Sequence, residues 1–182
     1  MSQNRYVALL RGINVGGNNL IKMLDLRSSF ADMGFTEIVT YIQSGNVVFS
    51  SKQTNKAKLT GLIEKALSDA FSYESRVVLV SAGDMERIVR QAPKGFGKDQ
   101  EQYRYDVMFV KEPLTAGEVL KEIPTAPGVD TADAGDHAIY FSRLVSKATQ
   151  SKLNKLVQRP VYKNLTVRNW NTTIKLLQMV TE

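Results

Sequence analysis

The order of apolar segments in the first half of the chain constrains its fold more than any other feature. Runs with strand or helix periodicity follow one another as strand, helix, strand, strand, helix and strand, at residues 6–11, 22–33, 38–43, 46–50, 55–71 and 76–80. A tight turn at Ser44 and Gly45 joins the third run to the fourth, which is a hairpin signal. The order β-α-β-β-α-β is typical of ferredoxin-like folds.

The second half of the chain follows the same order with shorter elements. They are a strand at 103–110, a helix with the capping box Thr115 and Glu118, strands at 128–132 and 137–141, a helix at 146–158, a strand at 165–168 and a helix at 172–180. We therefore predict an α+β protein of two fused β-α-β-β-α-β (ferredoxin-like) units with an extra C-terminal helix. The expected domains are residues 1–92, which include a connecting helix, and residues 103–182, with 93–102 as a linker.

Composition excludes several classes of chemistry. The chain has 182 residues and no cysteine, which rules out disulfides, thiolate metal sites and thiol nucleophiles. Its single histidine, His137, has no carboxylate cluster with metal-ligand spacing beside it, so we expect no metal and no cofactor. No run approaches the roughly 20 apolar residues of a membrane helix, and we expect no signal peptide. These observations predict a cytoplasmic protein without a membrane partner, of undetermined oligomeric state.

Basic residues concentrate at the two ends of the chain, whose net charge is +6. Residues 1–24 hold three bases and no acid, and residues 143–182 hold eight bases and a single acid. Such runs usually face water, but they can also form an anion-binding surface. The helix predicted at 146–158 would place Lys152, Lys155 and Arg159 along one stripe.

The segment between the first strand and the first helix has the composition of an anion-binding loop. It reads Arg11-Gly12-Ile13-Asn14-Val15-Gly16-Gly17-Asn18-Asn19, and Lys22 stands near the start of the helix. Backbone N–H groups in such a loop, close to a helix N-terminus, attract anions. The loop is neither a P-loop nor a dinucleotide fingerprint, because no Gly-Lys-Ser/Thr ends it and the glycine spacing differs. A crossover loop that needs its glycines for shape is an equally good interpretation.

Two further motifs carry polar groups that can bind a ligand. Gln43-Ser44-Gly45-Asn46 forms the hairpin turn, where Gln43 is not required by turn chemistry, but a bare turn without a ligand also explains the motif. Arg168-Asn169-Trp170-Asn171-Thr172-Thr173 runs from a strand into a helix, with Asn171 as the expected N-cap. An arginine and an aromatic ring at a helix start can grip a phosphate or stack a base, but Trp170 is equally well explained as a core residue.

The same motifs resemble a known family. Tyr6–Gly17 and Thr40–Phe49 are similar to a widespread, mainly bacterial family catalogued as a domain of unknown function, number sixteen ninety-seven. Arg168–Thr172 resembles the C-terminal signature of that family. The resemblance implies a small cytoplasmic α+β protein with no agreed substrate, cofactor or reaction. It supplies no catalytic residues.

The three motifs together predict a site for an anionic ligand, either a nucleic acid or a phosphorylated small molecule. The candidate ligand-binding residues are Arg11, Asn14, Gly16, Gly17, Asn18, Lys22, Gln43, Ser44, Asn46, Arg168, Asn169, Trp170 and Asn171. Two alternatives stay open. One is a metal-independent enzyme acting on a phosphate-bearing substrate, whose catalytic residues would be unknown, and the other is a scaffold or interaction protein without catalysis.

Overall fold

The computed structural model describes residues 4–17 and 19–182. This part of the chain divides into two compact units. The first unit extends as far as Met85 and also includes Leu176–Glu182, and the second comprises Glu86–Lys175. Each unit contains one four-stranded antiparallel sheet.

The first unit is built on a sheet with the strand order β2-β3-β1-β4. Its elements are β1 (Asn4–Leu10), α1 (Met23–Asp32), β2 (Thr36–Tyr41), β3 (Asn46–Ser51), α2 (Lys56–Phe71), β4 (Val77–Ser81) and the start of α3 (Ala82–Arg90). All neighbouring strands are antiparallel. As a result, β1 is an interior strand, and β2 and β4 are the two edges of the sheet.

One face of this sheet carries the core of the first unit. Alternate residues of β1, namely Tyr6, Ala8 and Leu10, join inward residues of the helices, such as Phe30 and Ile63, in one buried cluster. The period of two along the strand and of three to four along the helices is what a sheet covered by helices requires. The loop that leads into α1 starts directly at the C-terminal end of β1.

The second unit repeats the sheet pattern, with the strand order β6-β7-β5-β8. Its elements are β5 (Tyr103–Val110), α4 (Ala116–Leu120), β6 (Asp130–Ala134), β7 (Ala138–Leu144), α5 (Leu153–Leu156), β8 (Leu165–Asn169) and the start of α6 (Trp170–Thr181). The predicted capping box is confirmed, because Thr115 and Glu118 exchange both capping hydrogen bonds. Met108 and Phe141 pack with Val119 and Leu156 in the core of this unit.

The helix predicted at 146–158 is wrong. A 3-10 segment, Val145–Gln150, precedes the four-residue α5, and another, Pro160–Asn164, follows it. Lys147 has a non-helical φ of −122°, and the backbone N–H of Lys152 donates to Asp130 Oδ2 at 2.8 Å. A kink and a tertiary hydrogen bond therefore replace the continuous helix. The stripe expected from Lys152, Lys155 and Arg159 does not lie along one helix.

The coarse fold class is confirmed, because the chain is a mixed α and β protein with two four-stranded antiparallel sheets. The domain limits drawn from the sequence stay a prediction. Contacts group Glu86–Lys175 as the second unit, and residues 93–102 form turns in that unit. Within those turns, the Phe96 ring lies 4.9 Å from the ring of Tyr105 and 5.1 Å from that of Trp170, between centroids.

Candidate functional site

Asparagine side chains hold the shape of the loop between β1 and α1. Asn14 Oδ1 accepts a hydrogen bond from the backbone N–H of Ile21 at 2.8 Å, and Asn14 Nδ2 donates to the carbonyl of Ile21 at 3.0 Å. Asn19 Nδ2 donates to the carbonyl of Gly12 at 2.8 Å. The backbone N–H of Asn14 donates to the carbonyl of Asn19 at 3.1 Å. These four bonds close the loop on itself.

The loop backbone is left-handed at several positions. The residues concerned are Gly12, Asn14, Gly16, Gly17 and Asn19, with φ values of 72°, 53°, 59°, 78° and 46°. Glycine and asparagine adopt this conformation at the lowest steric cost. The composition of the loop therefore follows from its backbone geometry. Gly16 and Gly17 are exposed.

The hairpin turn between β2 and β3 lies against this loop. Asn14 Nδ2 also donates to the carbonyl of Gln43 at 2.9 Å, and the backbone N–H of Leu10 donates to the carbonyl of Gly45 at 2.8 Å. A Cβ atom at Gly45 would stand 2.7 Å from Ile13 Cδ1 and 2.8 Å from Leu10 Cβ. Because of this close approach, position 45 accepts only glycine without a shift of its neighbours. The first two predicted motifs are thus brought together.

The two amide side chains of the turn, those of Gln43 and Asn46, differ in burial. Asn46 is fully buried, and its Nδ2 donates to the carbonyl of Tyr41 at 2.9 Å and to Ser44 Oγ at 3.1 Å. The Gln43 side chain is exposed. The turn spans residues 42–45 rather than two residues, and Ile42 has a positive φ of 49°. Asn46 therefore stabilises the turn, and Gln43 faces water.

Two basic residues flank the loop. Lys22 is exposed and occupies the N-cap of α1, where its side chain makes no capping hydrogen bond. Arg11 is half-buried just after β1, and its backbone N–H donates to the carbonyl of Arg76 at 3.0 Å. The first acid in the chain is Asp25, in the first turn of α1. Asn18, another predicted site residue, lies outside the described residues.

The third motif belongs to the second unit, where β8 leads into α6. The guanidinium of Arg168 is buried, and its Nη1 donates to Thr166 Oγ1 and to the carbonyl of Val167, both at 2.9 Å. Burial lowers the pKa of Arg168 to about 10. Its hydrogen bonds to its own strand offset part of the cost of burying this charge.

The cap of α6 differs from the prediction. Asn169 Oδ1 accepts a hydrogen bond from the backbone N–H of Thr172 at 2.8 Å, so Asn169 caps the helix and Asn171 does not. Asn171 pairs instead with Gln100: its Oδ1 accepts from Gln100 Nε2 at 3.0 Å, and its Nδ2 donates to Gln100 Oε1 at 3.1 Å. The helix starts two residues earlier than expected, at Trp170.

A cavity of about 220 Å³ opens beside this motif. It is lined by Gln100, Tyr103, Arg104, Tyr105, Asn169, Trp170 and Asn171. Three of these residues were predicted as site residues, and four were missed. A signal for two of the missed residues is present in the sequence, because the alternation in Tyr103-Arg104-Tyr105 places both tyrosines on one face of β5. Gln100 has no such signal, since it lies in the segment interpreted as a linker.

The described residues contain no group of three or more histidine and acidic side chains that could hold a metal ion. Between Asn4 and Glu182, apart from Asn18, no helix is long and apolar enough to cross a membrane.

Comparisons with known proteins bear on the family and the fold. Residues 3–140 match the model of a family described as a protein of unknown function (DUF1697). The chain belongs to this family. The DUF1697 match confirms the resemblance carried by the Tyr6–Phe49 region, and the family description names no ligand or reaction.

A solved structure is also similar to this DUF1697 chain. It is the structure of the conserved bacterial protein SP0830 from Streptococcus pneumoniae, which is 27% identical with a TM-score of 0.87. The similarity covers 98% of this chain and 99% of that chain, so it extends over both units. No curated protein matches the chain.

Proposed function

We propose that this protein binds an anionic ligand, a nucleic acid or a phosphorylated small molecule, at the loop between β1 and α1. The observation that carries the proposal is that some residues of the loop hold its shape while others expose their backbone to solvent. Asn14 and Asn19 close the loop through hydrogen bonds, and the exposed Gly16 and Gly17 present a left-handed backbone to solvent. A loop that is already ordered loses little entropy when a ligand binds.

The charge around the loop favours an anion. Lys22 is exposed at the start of α1, where the helix dipole adds a partial positive charge. Arg11 adds a second cation, and no acid occurs before Asp25. An exposed charge near a helix terminus contributes about 0.3–1 kcal/mol. Each of these charges therefore raises the affinity for an anion only by a factor of about two to five, and a simple anion binds weakly.

The remaining predicted residues play different parts in this proposal. The exposed amide of Gln43 is next to the loop and can donate to a phosphate oxygen. Asn14, Ser44 and Asn46 position the backbone rather than contact the ligand. A single site that also includes Arg168, Asn169, Trp170 and Asn171 stays a prediction, as does a cytoplasmic location.

Titration with inorganic phosphate, followed by the backbone amide NMR signals, tests the proposal. We expect the Gly16 and Gly17 signals to shift in a saturable way. Lys22→Gln should weaken binding by roughly threefold, within the range expected for one exposed charge at a helix start. Lys65→Gln is the matched control, because Lys65 is an exposed lysine on α2 whose charge partner is Asp69, at 2.5 Å. Unmoved glycine signals, or equal weakening by both variants, would rule out a site at this loop.

We also propose that the two units are a duplication of one ferredoxin-like fold. Counted from the first strand of each unit, both sheets have the order 2-3-1-4 with antiparallel neighbours, which supports the proposal. The connection from β7 to β8 departs from the pattern, since it contains only the short α5 between two 3-10 segments. An experimental structure in which the two sheets do not superpose strand by strand would contradict the duplication.

A further inference from the structure

The cavity beside the third motif lies at an open edge of the second sheet. The pairing of β8 with β5 ends where Asn169 stands opposite Asp106. In the described part of the chain, Tyr103, Arg104 and Tyr105 therefore have no strand neighbour on the β8 side, although all three pair with β7 on the other side. The cavity of about 220 Å³ occupies this gap.

Aromatic rings form part of the cavity wall. The rings of Tyr103 and Tyr105 lie 6.1 Å apart between centroids, and both side chains are half-buried. Trp170 is also half-buried and packs against the Phe96 ring. The two rings meet edge to face, with centroids 5.1 Å apart and an interplanar angle of 88°. Gly97 lies so close to the indole that a Cβ atom there would be 2.1 Å from Trp170 Nε1. The indole is thus fixed in place, which favours stacking of a planar ligand.

Several hydrogen-bonding groups at the cavity have capacity left. Asn169 Oδ1 is used by the helix cap, and its Nδ2 has no partner among the described residues. The hydroxyls of Tyr103 and Tyr105 likewise have no partner in the part of the chain that the structure describes. Gln100 Nε2 donates both to Asn171 Oδ1 and to the carbonyl of Gly97, so it has no N–H left, whereas Asn171 uses one N–H on Gln100 and keeps a second. The cavity therefore offers several unused N–H and O–H donors to a ligand.

The charge at the cavity is positive. Arg104 is exposed, and of its guanidinium donors only Nη1 is used, by the carbonyl of Gln100 at 3.2 Å. Arg143 stands directly opposite Arg104 on β7, and like charges at directly opposed positions destabilise a sheet. The half-buried Asp106, whose pKa burial raises, is near both arginines, and Asp130 stands opposite Arg143 on β6; these two carboxylates offset part of the repulsion. A bound anion would relieve the repulsion between the two arginines.

We propose that this cavity binds one nucleotide, with the base against the Trp170 and tyrosine rings and the phosphate on Arg104. The size supports one unit rather than an extended ligand, because 220 Å³ is below the roughly 300–1,000 Å³ of typical ligand pockets. Stacking on aromatic rings accepts any base, and the amides of Asn169 and Asn171 can bond its edge. The nucleotide is either a free mononucleotide or one residue of a single-stranded nucleic acid. This inference uses no residue of the loop between β1 and α1, so it stands or falls independently of the function proposed there.

Trp170 is the only tryptophan in the chain, so its fluorescence reports on this cavity alone. The test is titration of the full chain with AMP, UMP, adenosine, inorganic phosphate and an eight-nucleotide single-stranded RNA, with excitation of the indole. We expect saturable quenching by the nucleotides, weaker quenching by adenosine and none by inorganic phosphate. Saturation by AMP or UMP would identify a free nucleotide, and saturation by the RNA alone would identify a polymer; either result supports the site.

Arg104→Gln should weaken nucleotide binding about tenfold, because a hydrogen bond to a charged group is lost. The matched control is Arg159→Gln, which removes the same charge from an exposed arginine that does not line the cavity. Both variants change exposed side chains, and a thermal melt checks that each is folded. Unchanged Trp170 emission with every nucleotide and the RNA would overturn the proposal. Equal weakening by the two variants would also overturn it, because it would show general charge attraction rather than a site.

Discussion

Two glycines of the first unit illustrate how single residues fix the candidate loop. Gly17 and Gly45 both have a φ of 78°. Around Gly17 there is open space, since a Cβ atom would meet nothing within 4 Å. At Gly45 a Cβ atom would meet Ile13 Cδ1 at 2.7 Å and Leu10 Cβ at 2.8 Å. The first position needs glycine for its backbone angle only, and the second also needs it for space.

Replacement of each glycine by alanine separates these two effects. We expect Gly17→Ala to cost about 1–2 kcal/mol of unfolding free energy, the cost of a left-handed alanine. Gly45→Ala should cost at least about 1 kcal/mol more, because overpacking of a close contact adds typically 1–3 kcal/mol. Urea denaturation of the two variants and the parent measures both values. Equal destabilisation would mean that Ile13 and Leu10 move aside freely.

The sequence carries part of the information about these residues. The glycines of residues 12–17 predicted a loop that needs them for its shape, and Gly12, Gly16 and Gly17 all have positive φ angles. Sequence patterns could not show that Asn14 bonds to both Ile21 and Gln43, because those contacts depend on how the hairpin packs against the loop. Arg168 shows the same limit. Its residue type indicates a surface cation, but its position on β8 places the guanidinium in the interior.

Among the elements, α6 starts two residues earlier than the sequence pattern predicts. Trp170 and Asn171 have no helix-breaking character, so the helix extends back to the first residue after an asparagine that can cap it. The helix predicted at 146–158 failed for a different reason. Its apolar spacing suits a helix, but Asp130, 22 residues earlier, bonds the Lys152 N–H. A contact between distant residues of this kind leaves no periodic signal.

Substitution of the two asparagines at the start of α6 tests the assignment of the cap. We expect Asn169→Ala to cost about 0.5–2 kcal/mol, as for other N-caps. Asn171→Ala should cost less than about 0.5 kcal/mol, because it removes only an exposed pair with Gln100. Thermal unfolding by circular dichroism compares the two. A larger loss of stability for Asn171→Ala would show that Asn171, as the sequence suggests, is the N-cap.

At the scale of the whole molecule, alkaline pH acts on stability through buried tyrosine. Tyr140 is 1% exposed, and its hydroxyl donates to the carbonyl of Ile88 at 2.6 Å. Burial, with a smaller effect of Asp136, raises the pKa of Tyr140 to about 12 from its ordinary value of 10.0. The native state therefore holds this proton more tightly than the unfolded state does. Stability from this group is present below pH 10 and is lost as the pH rises toward 12.

Tyr140→Phe should lower the unfolding free energy by about 1–3 kcal/mol at neutral pH, because the Ile88 carbonyl loses its partner. The difference in unfolding free energy from the parent protein should shrink between pH 10 and 12, where the parent loses the stability that the Tyr140 hydroxyl contributes. Tyr103→Phe is the control, since the Tyr103 hydroxyl has no partner among the described residues, and it should change stability by less than about 0.5 kcal/mol. A difference that stays constant to pH 12 would contradict the raised pKa.

The assignment of Leu176–Glu182 to the first unit has a consequence for biosynthesis. The guanidinium of Arg5 donates to the carbonyl of Met179 at 2.9 Å, a contact between residues 174 positions apart. On the ribosome, residues 4–81 can form the complete first sheet as soon as β4 has left the exit tunnel, because β4 is its last strand. The partner of Arg5 is made 174 residues after it, so the first unit acquires its full set of contacts only after the whole second unit has been synthesised. A ribosome stalled before residue 176 would therefore carry a sheet whose first strand lacks this contact.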